Sequence, residues 1–196
     1  MLSLKRLMNF TVSNIMEAKI NSFIESIKTK YGVNCGVSKM NTDMFHTELR
    51  AACECNTCGN YGLCHTCPPN IGTAEECIDT VSSYERFIAF QKIYDLEDSF
   101  DFEGMMAGKE DFKDVMKGVA KVARESFEKP LILGAGGCMI CERCAAKDNK
   151  PCRFPNLAQA SLEANCIQVS QFAECCGLKY INGQNTVTYF GGVFLK

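Results

Sequence analysis

Two bends of this chain are spelled largely in cysteine. Residues 53–67 read Cys-Glu-Cys-Asn-Thr-Cys-Gly-Asn-Tyr-Gly-Leu-Cys-His-Thr-Cys, and residues 138–144 read Cys-Met-Ile-Cys-Glu-Arg-Cys. The 196-residue chain holds fourteen cysteines, and its hydrophobic fraction is 46% with cysteine counted. Enough aliphatic and aromatic residues remain for a conventional core, and chains well above about 80 residues seldom need disulfides to fold. The thiols therefore need another reason to crowd into two bends. In a reducing compartment that reason is metal ligation.

Charge and hydropathy narrow the class further. With 21 Lys+Arg against 23 Asp+Glu, the chain lacks the basic footprint of a nucleic-acid binder. A membrane span needs about 18–20 consecutive apolar residues, and the best stretch, residues 130–140, is too short and holds three glycines. Residues 1–8 set Lys5 and Arg6 inside the apolar stretch and lack a long apolar h-region, so no secretory signal is expected. The expectation is a cytoplasmic protein without nucleic-acid or membrane partners.

The remaining sequence reads as one α+β domain over residues 1–196, a mixed sheet flanked by helices with two cysteine-rich metal-binding loops. A helix is expected from Ile15 to Tyr31, capped by Asn14, with Ile15, Ile20, Phe23, Ile24 and Ile27 on one face. Residues 1–52 form an N-terminal helix and strand region, 53–77 the first cysteine loop and 138–152 the second. Thr73 with Glu76 three residues on is a capping box. Residues 87–94 and 131–133 read as buried strands, and 109–128 as a helix with Phe112, Val115, Met116, Val119 and Ala123 on one stripe. Residues 156–164 and 169–176 look helical. Residues 186–195 read as a last strand whose glycine pair suggests a bulge or an edge.

The second loop carries Cys138, Cys141 and Cys144 in a C-x2-C-x2-C run, with Cys152 beyond. Three thiolates in so short a turn suit the corners of a [4Fe–4S] cube, each meeting a different iron while backbone N–H groups face the sulfides. A tetrahedral zinc normally takes two separated C-x2-C knuckles. Bacterial ferredoxins use the same core spacing, and Cys152 is the nearest candidate for the fourth corner. The Gly134-Ala-Gly-Gly137 run is a poor dinucleotide fingerprint, because the third glycine of that pattern is missing.

The first loop admits two readings. Cys55/Cys58 with Cys64/Cys67 has the order of a zinc ribbon but a spacer far shorter than usual. Alternatively Cys67-Pro68 is the Cys-Pro pairing that ends ferredoxin ligand runs, and the loop holds a second iron–sulfur site. Cys35, Cys166, Cys175 and Cys176 read as small buried hydrophobes, with no reason to expect a Cys175–Cys176 disulfide. His65, between Cys64 and Cys67, is a ligand candidate or a plain loop residue, His46 has no evident partner, and Arg153 is placed to offset thiolate charge at Cys152. Residues 95–103 carry five acids, no base and two phenylalanines. They read either as a solvated loop with anchoring aromatics or as a docking patch for a basic redox partner.

Several segments resemble a cysteine-rich family known as predicted metal-binding proteins, a domain of unknown function found in anaerobic bacteria and archaea. They are residues 53–62, Cys67-Pro-Pro69, 72–77, 97–105, Cys152-Arg-Phe-Pro155, Ser161-Leu-Glu-Ala164 and Thr186-Val-Thr-Tyr189. The resemblance implies Cys53, Cys58 and Cys67 as recurring first-loop cysteines, often with Cys77. It makes Cys55 and Cys64 extras, and it usually places glycine at position 166. The fourth ligand of the first site stays open among Cys77, Cys55 and Cys64.

Three functional readings result. The first is two [4Fe–4S] clusters, on Cys138, Cys141, Cys144 and Cys152 and on Cys53, Cys58, Cys67 and Cys77, serving electron transfer or a redox accessory role with a basic partner protein. The second is an iron–sulfur enzyme with an open iron, although no catalytic constellation is identifiable. The third is a zinc-stabilised interaction module, with zinc at the first loop.

Overall fold

The computed structural model describes residues 2–196, with side chains described from Asn14 onward. Its spine is a five-stranded sheet in the order β1-β2-β5-β3-β4, formed by β1 (Asn34–Lys39), β2 (Arg86–Asp95), β3 (Leu131–Gly134), β4 (Ala160–Ser161) and β5 (Thr186–Leu195). All pairings are antiparallel except β3 with β4, which is parallel. The helices are α1 (Leu2–Tyr31), α2 (Leu49–Glu54), α3 (Ala74–Ser82), α4 (Phe102–Ser126) and α5 (Val169–Cys175), so the fold is α+β as expected.

The apolar run of β2 lacks polar alternation because both faces of the sheet are covered. Ile88 and Phe90 pack on one face with Ile20, Phe23 and Ile27 of α1 and with Phe112, Met116 and Val119 of α4. Phe87 and Ala89 point the other way, toward Met44, Val81, Ile167 and Phe172. On that second face the Phe87 and Phe172 rings stack at 4.9 Å, with Phe194 beside both.

Several expectations are corrected. Helix α1 runs unbroken through Asn14, so that residue caps nothing, and Ile15 lies outside the core at 53% exposure. Helix α4 starts at Phe102, where the Asp101 carboxylate accepts from the Gly104 N–H at 2.7 Å. Residues 156–164 are not a helix. They turn, pair beside β3 as β4, and enter a 3-10 turn at Glu163–Asn165. Ser161 Oγ accepts from the Ala164 N–H and the Ser161 carbonyl accepts from Asn165 Nδ2, so side chains supply bonds a helix would have made internally.

The glycine pair of β5 marks neither bulge nor edge. The strand is central and stays in register with β2 along its whole length. A side chain at Gly191 would collide with the Phe90 ring and stand 2.8 Å from Met116 Sδ, and one at Gly192 would stand 2.8 Å from Phe172 Cζ. The two glycines let aromatic rings lie flat across opposite faces of the strand. Among the described residues no helix is long and apolar enough to cross a membrane.

Both cysteine loops hang from one side of this scaffold. The second leaves the end of β3 and returns as β4, while the first joins α2 to α3, both of which pack on the turn 163–165 after β4. Gly191→Ala should lower the unfolding free energy by about 1–3 kcal/mol through overpacking, measured by urea titration. A variant as stable as the parent would show that the rings do not cross the strand here.

Candidate metal centre

The second loop builds the tighter of two thiol sites. Cys138, Cys141, Cys144 and Cys152, all partly buried, line one small pocket of about 20 Å³ together with Ile140 and Phe154. The loop is braced by an Arg143–Asp148 ion pair at 2.7 Å and by the Arg153 guanidinium, which donates to the Arg143 carbonyl. Arg153 is thus occupied in holding the loop's shape. Burial pushes the Cys138 thiol up, while backbone N–H groups of Gln159 and Ile140 point at its sulfur and oppose that rise. Gln159 Nε2 is buried without a protein acceptor, a spare donor on the residue that already faces Cys138.

A fifth thiol on this wall was not assigned to it by spacing. Cys64 belongs to the first loop, yet it faces the second pocket. The Cys67 thiol donates to it and brings it down to about 4, with Thr66 and the Cys138 N–H adding smaller contributions against the opposing effect of burial. Donating that bond pushes Cys67 up, and burial pushes it further. Cys64 therefore joins the two loops, through its place on the second pocket's wall and the Cys138 N–H that faces its sulfur. His65 makes a second tie, through Nε2 to the Lys150 carbonyl at 2.8 Å.

In the first loop, Cys53 sits in the last turn of α2, Cys58 is exposed and Cys67 is buried. Each of these thiols lies close enough to feel the charge of another in the group. Cys55 caps the C-terminal end of α2 and is exposed. Cys77 is buried under Arg50, whose Nη2 donates to its sulfur at 3.0 Å, and its thiol points toward the Ile71 carbonyl at 3.8 Å. Arg50 also donates to the Gly72 and Thr73 carbonyls, both at 3.2 Å, and so ties α2 to the start of α3. The Thr73/Glu76 capping box is present there.

Cys166 is buried, as expected, but its surroundings are not inert. It lies beside Arg50, Cys77 and Cys53. No spacing rule reaches it, because it lies far along the chain and arrives by tertiary packing. Cys35 and Cys176 are only partly buried, packed against the two core clusters, and burial pushes each thiol up to about 12. Every cysteine is a free thiol, the vicinal pair included. His46 has two partners, Gln171 Oε1 at 2.7 Å and Glu48 Oε1 at 3.3 Å. The phenylalanines of residues 95–103 are not anchors: Phe100 is 91% and Phe102 70% exposed.

Beside the second-loop pocket, sharing His65 and Cys152 with it, opens a cleft of about 780 Å³. Cys77 stands on one wall, Cys152 and His65 on another, and residues 131–133 of β3 line it. A tetrahedral thiolate ion would hold sulfurs roughly 3.8 Å apart, given metal–sulfur bonds near 2.3 Å. Among the described residues no three His, Cys, Asp or Glu side chains are gathered to hold one ion. The four second-loop thiols share the lining of one pocket. Thiols arranged this way define a cysteine-rich, metal-binding class of protein. Within it, the chain belongs to the family described as predicted metal-binding protein (DUF2284), whose model matches residues 39–195. No curated protein and no solved structure matches the chain.

Proposed function

We propose that this is an iron–sulfur protein carrying two [4Fe–4S] clusters, acting in electron transfer or as a redox accessory. The observation that carries the reading is that Cys138, Cys141, Cys144 and Cys152 line one pocket, with backbone N–H groups aimed at the Cys138 sulfur. A cube needs thiolates spread around a volume, and hydrogen bonds to its sulfurs tune its potential. The donor set therefore fits a cluster better than a solitary zinc. Cys53, Cys58 and Cys67 supply three thiolates for the second cluster, with zinc the competing occupant of that loop. When bound, the clusters supply one-electron chemistry. The protein's own part is to exclude water, orient the thiols and set the local charge.

Cys64 supports electron passage between the sites, since it lines the second-loop pocket while sharing a hydrogen bond with Cys67 of the first site. Two oxidised four-thiolate cubes would take the polypeptide's −2 to roughly −6. The acidic residues Glu97, Asp98 and Glu103 around exposed Phe100 and Phe102 offer such a protein a docking patch for a basic partner. A second reading rests on the cleft. Its lining includes Cys77, so if that thiol does not serve as the fourth ligand of the first site, the iron left open there would face the cleft and would act as a Lewis acid.

Anaerobic preparations should contain about eight iron and eight sulfide per chain, and Cys138→Ala should remove about half of each. About two zinc per chain with neither iron nor sulfide would refute the cluster reading. Reduction of a basic haem protein should slow severalfold between about 50 mM and 500 mM salt, and Glu97→Gln with Glu103→Gln should lower the low-salt rate. A rate indifferent to salt would remove the docking patch. Imidazole should shift the EPR spectrum of the reduced protein if an iron is open to the cleft, and an unchanged spectrum would dispose of that second reading.

A further inference from the structure

Five thiols line the second-loop pocket, and a cube has four corners. The C-x2-C-x2-C turn suits Cys138, Cys141 and Cys144 to three of them, which leaves one corner to two thiols, Cys152 and Cys64. Cys64 is 3% exposed although Leu63 beside it is 41% exposed, so the chain turns this one side chain inward. It is not packed as core, because it joins neither hydrophobic cluster. Its neighbours on the pocket wall include the other four thiols, and the Thr66 hydroxyl stands 3.4 Å from its sulfur.

Hydrogen bonds hold it there. The Cys64 carbonyl accepts from the Cys67 N–H and from Asn70 Nδ2, each at 3.2 Å, and Asn70 Nδ2 also donates to the Gly62 carbonyl. His65, the next residue, is bonded through Nε2 to the Lys150 carbonyl at 2.8 Å, two residues before Cys152. The turn that presents Cys64 is thus fastened to the segment that presents Cys152. Cys152 differs from its three partners in the second loop, since it alone of the four lines the open cleft as well as the pocket. Its corner is the one that water and small molecules reach.

We infer that Cys64 is an alternative fourth ligand of the second-loop cluster, able to hold the corner in place of Cys152. The exchange breaks one iron–sulfur bond and forms another. A proton passes from the Cys64 thiol to the released Cys152 sulfur, and no electron is gained or lost. The cluster thereby stays fully ligated when the thiol facing the cleft is lost. This rests on the reading that the second loop holds a cluster, and it leaves Cys53, Cys58 and Cys67 to the first site.

Three variants of the full chain, prepared without oxygen beside the parent, test the inference. Cys64→Ala and Cys152→Ala should each keep the parent's iron and sulfide, and Cys152→Ala should shift the EPR signal of one cluster. The double variant, Cys64→Ala with Cys152→Ala, should lose at least the iron of that corner and up to about half of the iron and sulfide. Survival of the first-loop signal in the double variant shows that the chain is folded. Loss of iron from Cys152→Ala alone, whether of one corner or of the whole cluster, would overturn the inference, as would a double variant with the full complement. A parent without inorganic sulfide would instead refute the cluster reading itself, so the two failures are distinguishable.

Discussion

The parallel pairing of β3 with β4, Leu133 opposite Ala160 and Gly134 opposite Ser161, is the constraint on which the thiol sites depend. It forces the chain to leave the sheet at Gly134, loop through the second set of cysteines and return alongside the strand it left. The return fixes where residues 162–167 lie, because Leu162 N–H donates back to the Gly134 carbonyl at 2.9 Å. That places the turn 163–165 under α2 and α3, which hold the two ends of the first loop. Neither loop carries the aliphatic residues to fold by itself. Their geometry is borrowed from a two-residue strand at the sheet edge.

The scaffold behind that edge is stiff for an identifiable reason. Aromatic rings crowd both faces of β2 and β5, and Gly191 and Gly192 are where those rings approach the backbone. Core packing of this density transmits position rather than absorbing it. A metal site needs such backing, since ligands displaced by even a fraction of an ångström lose affinity. Short polar contacts hold each loop, Arg50 to the start of α3 and Arg143 to Asp148, and His65 to Lys150 ties one to the other. Metal binding would complete what these contacts begin, because thiolate–metal bonds add to folding stability once the thiols are deprotonated.

Elements whose signal is local were legible in the sequence. The Thr73 capping box, the stripe of α4 and the strands at 87–94 and 131–133 appear close to where pattern reading puts them, because side-chain periodicity and short-range hydrogen bonds decide them. The failures share a cause. Residues 156–164 have helix-compatible spacing, but pairing with β3 and the Ser161 and Asn165 side-chain bonds prevailed over propensity. The glycines of β5 looked like breakers because the rings that need them come from β2 and α5. Asn14 resembled a cap only because the helix continuing before it carries no strong periodic signal.

The thiol sites divide along the same line. Cys138, Cys141, Cys144 and Cys152 lie within one loop, so spacing alone groups them, and they share a pocket. Cys64 and Cys166 are placed by tertiary contact, which brings Cys64 to the wall of the second pocket and buries Cys166, as expected, beside Arg50. Cys64 turns from its own loop to the wall of the other and meets Cys67 on the way. That contact is the reason to treat the sites as coupled: a charge change at one is felt across two adjacent sulfurs in a water-poor setting, where screening is weak.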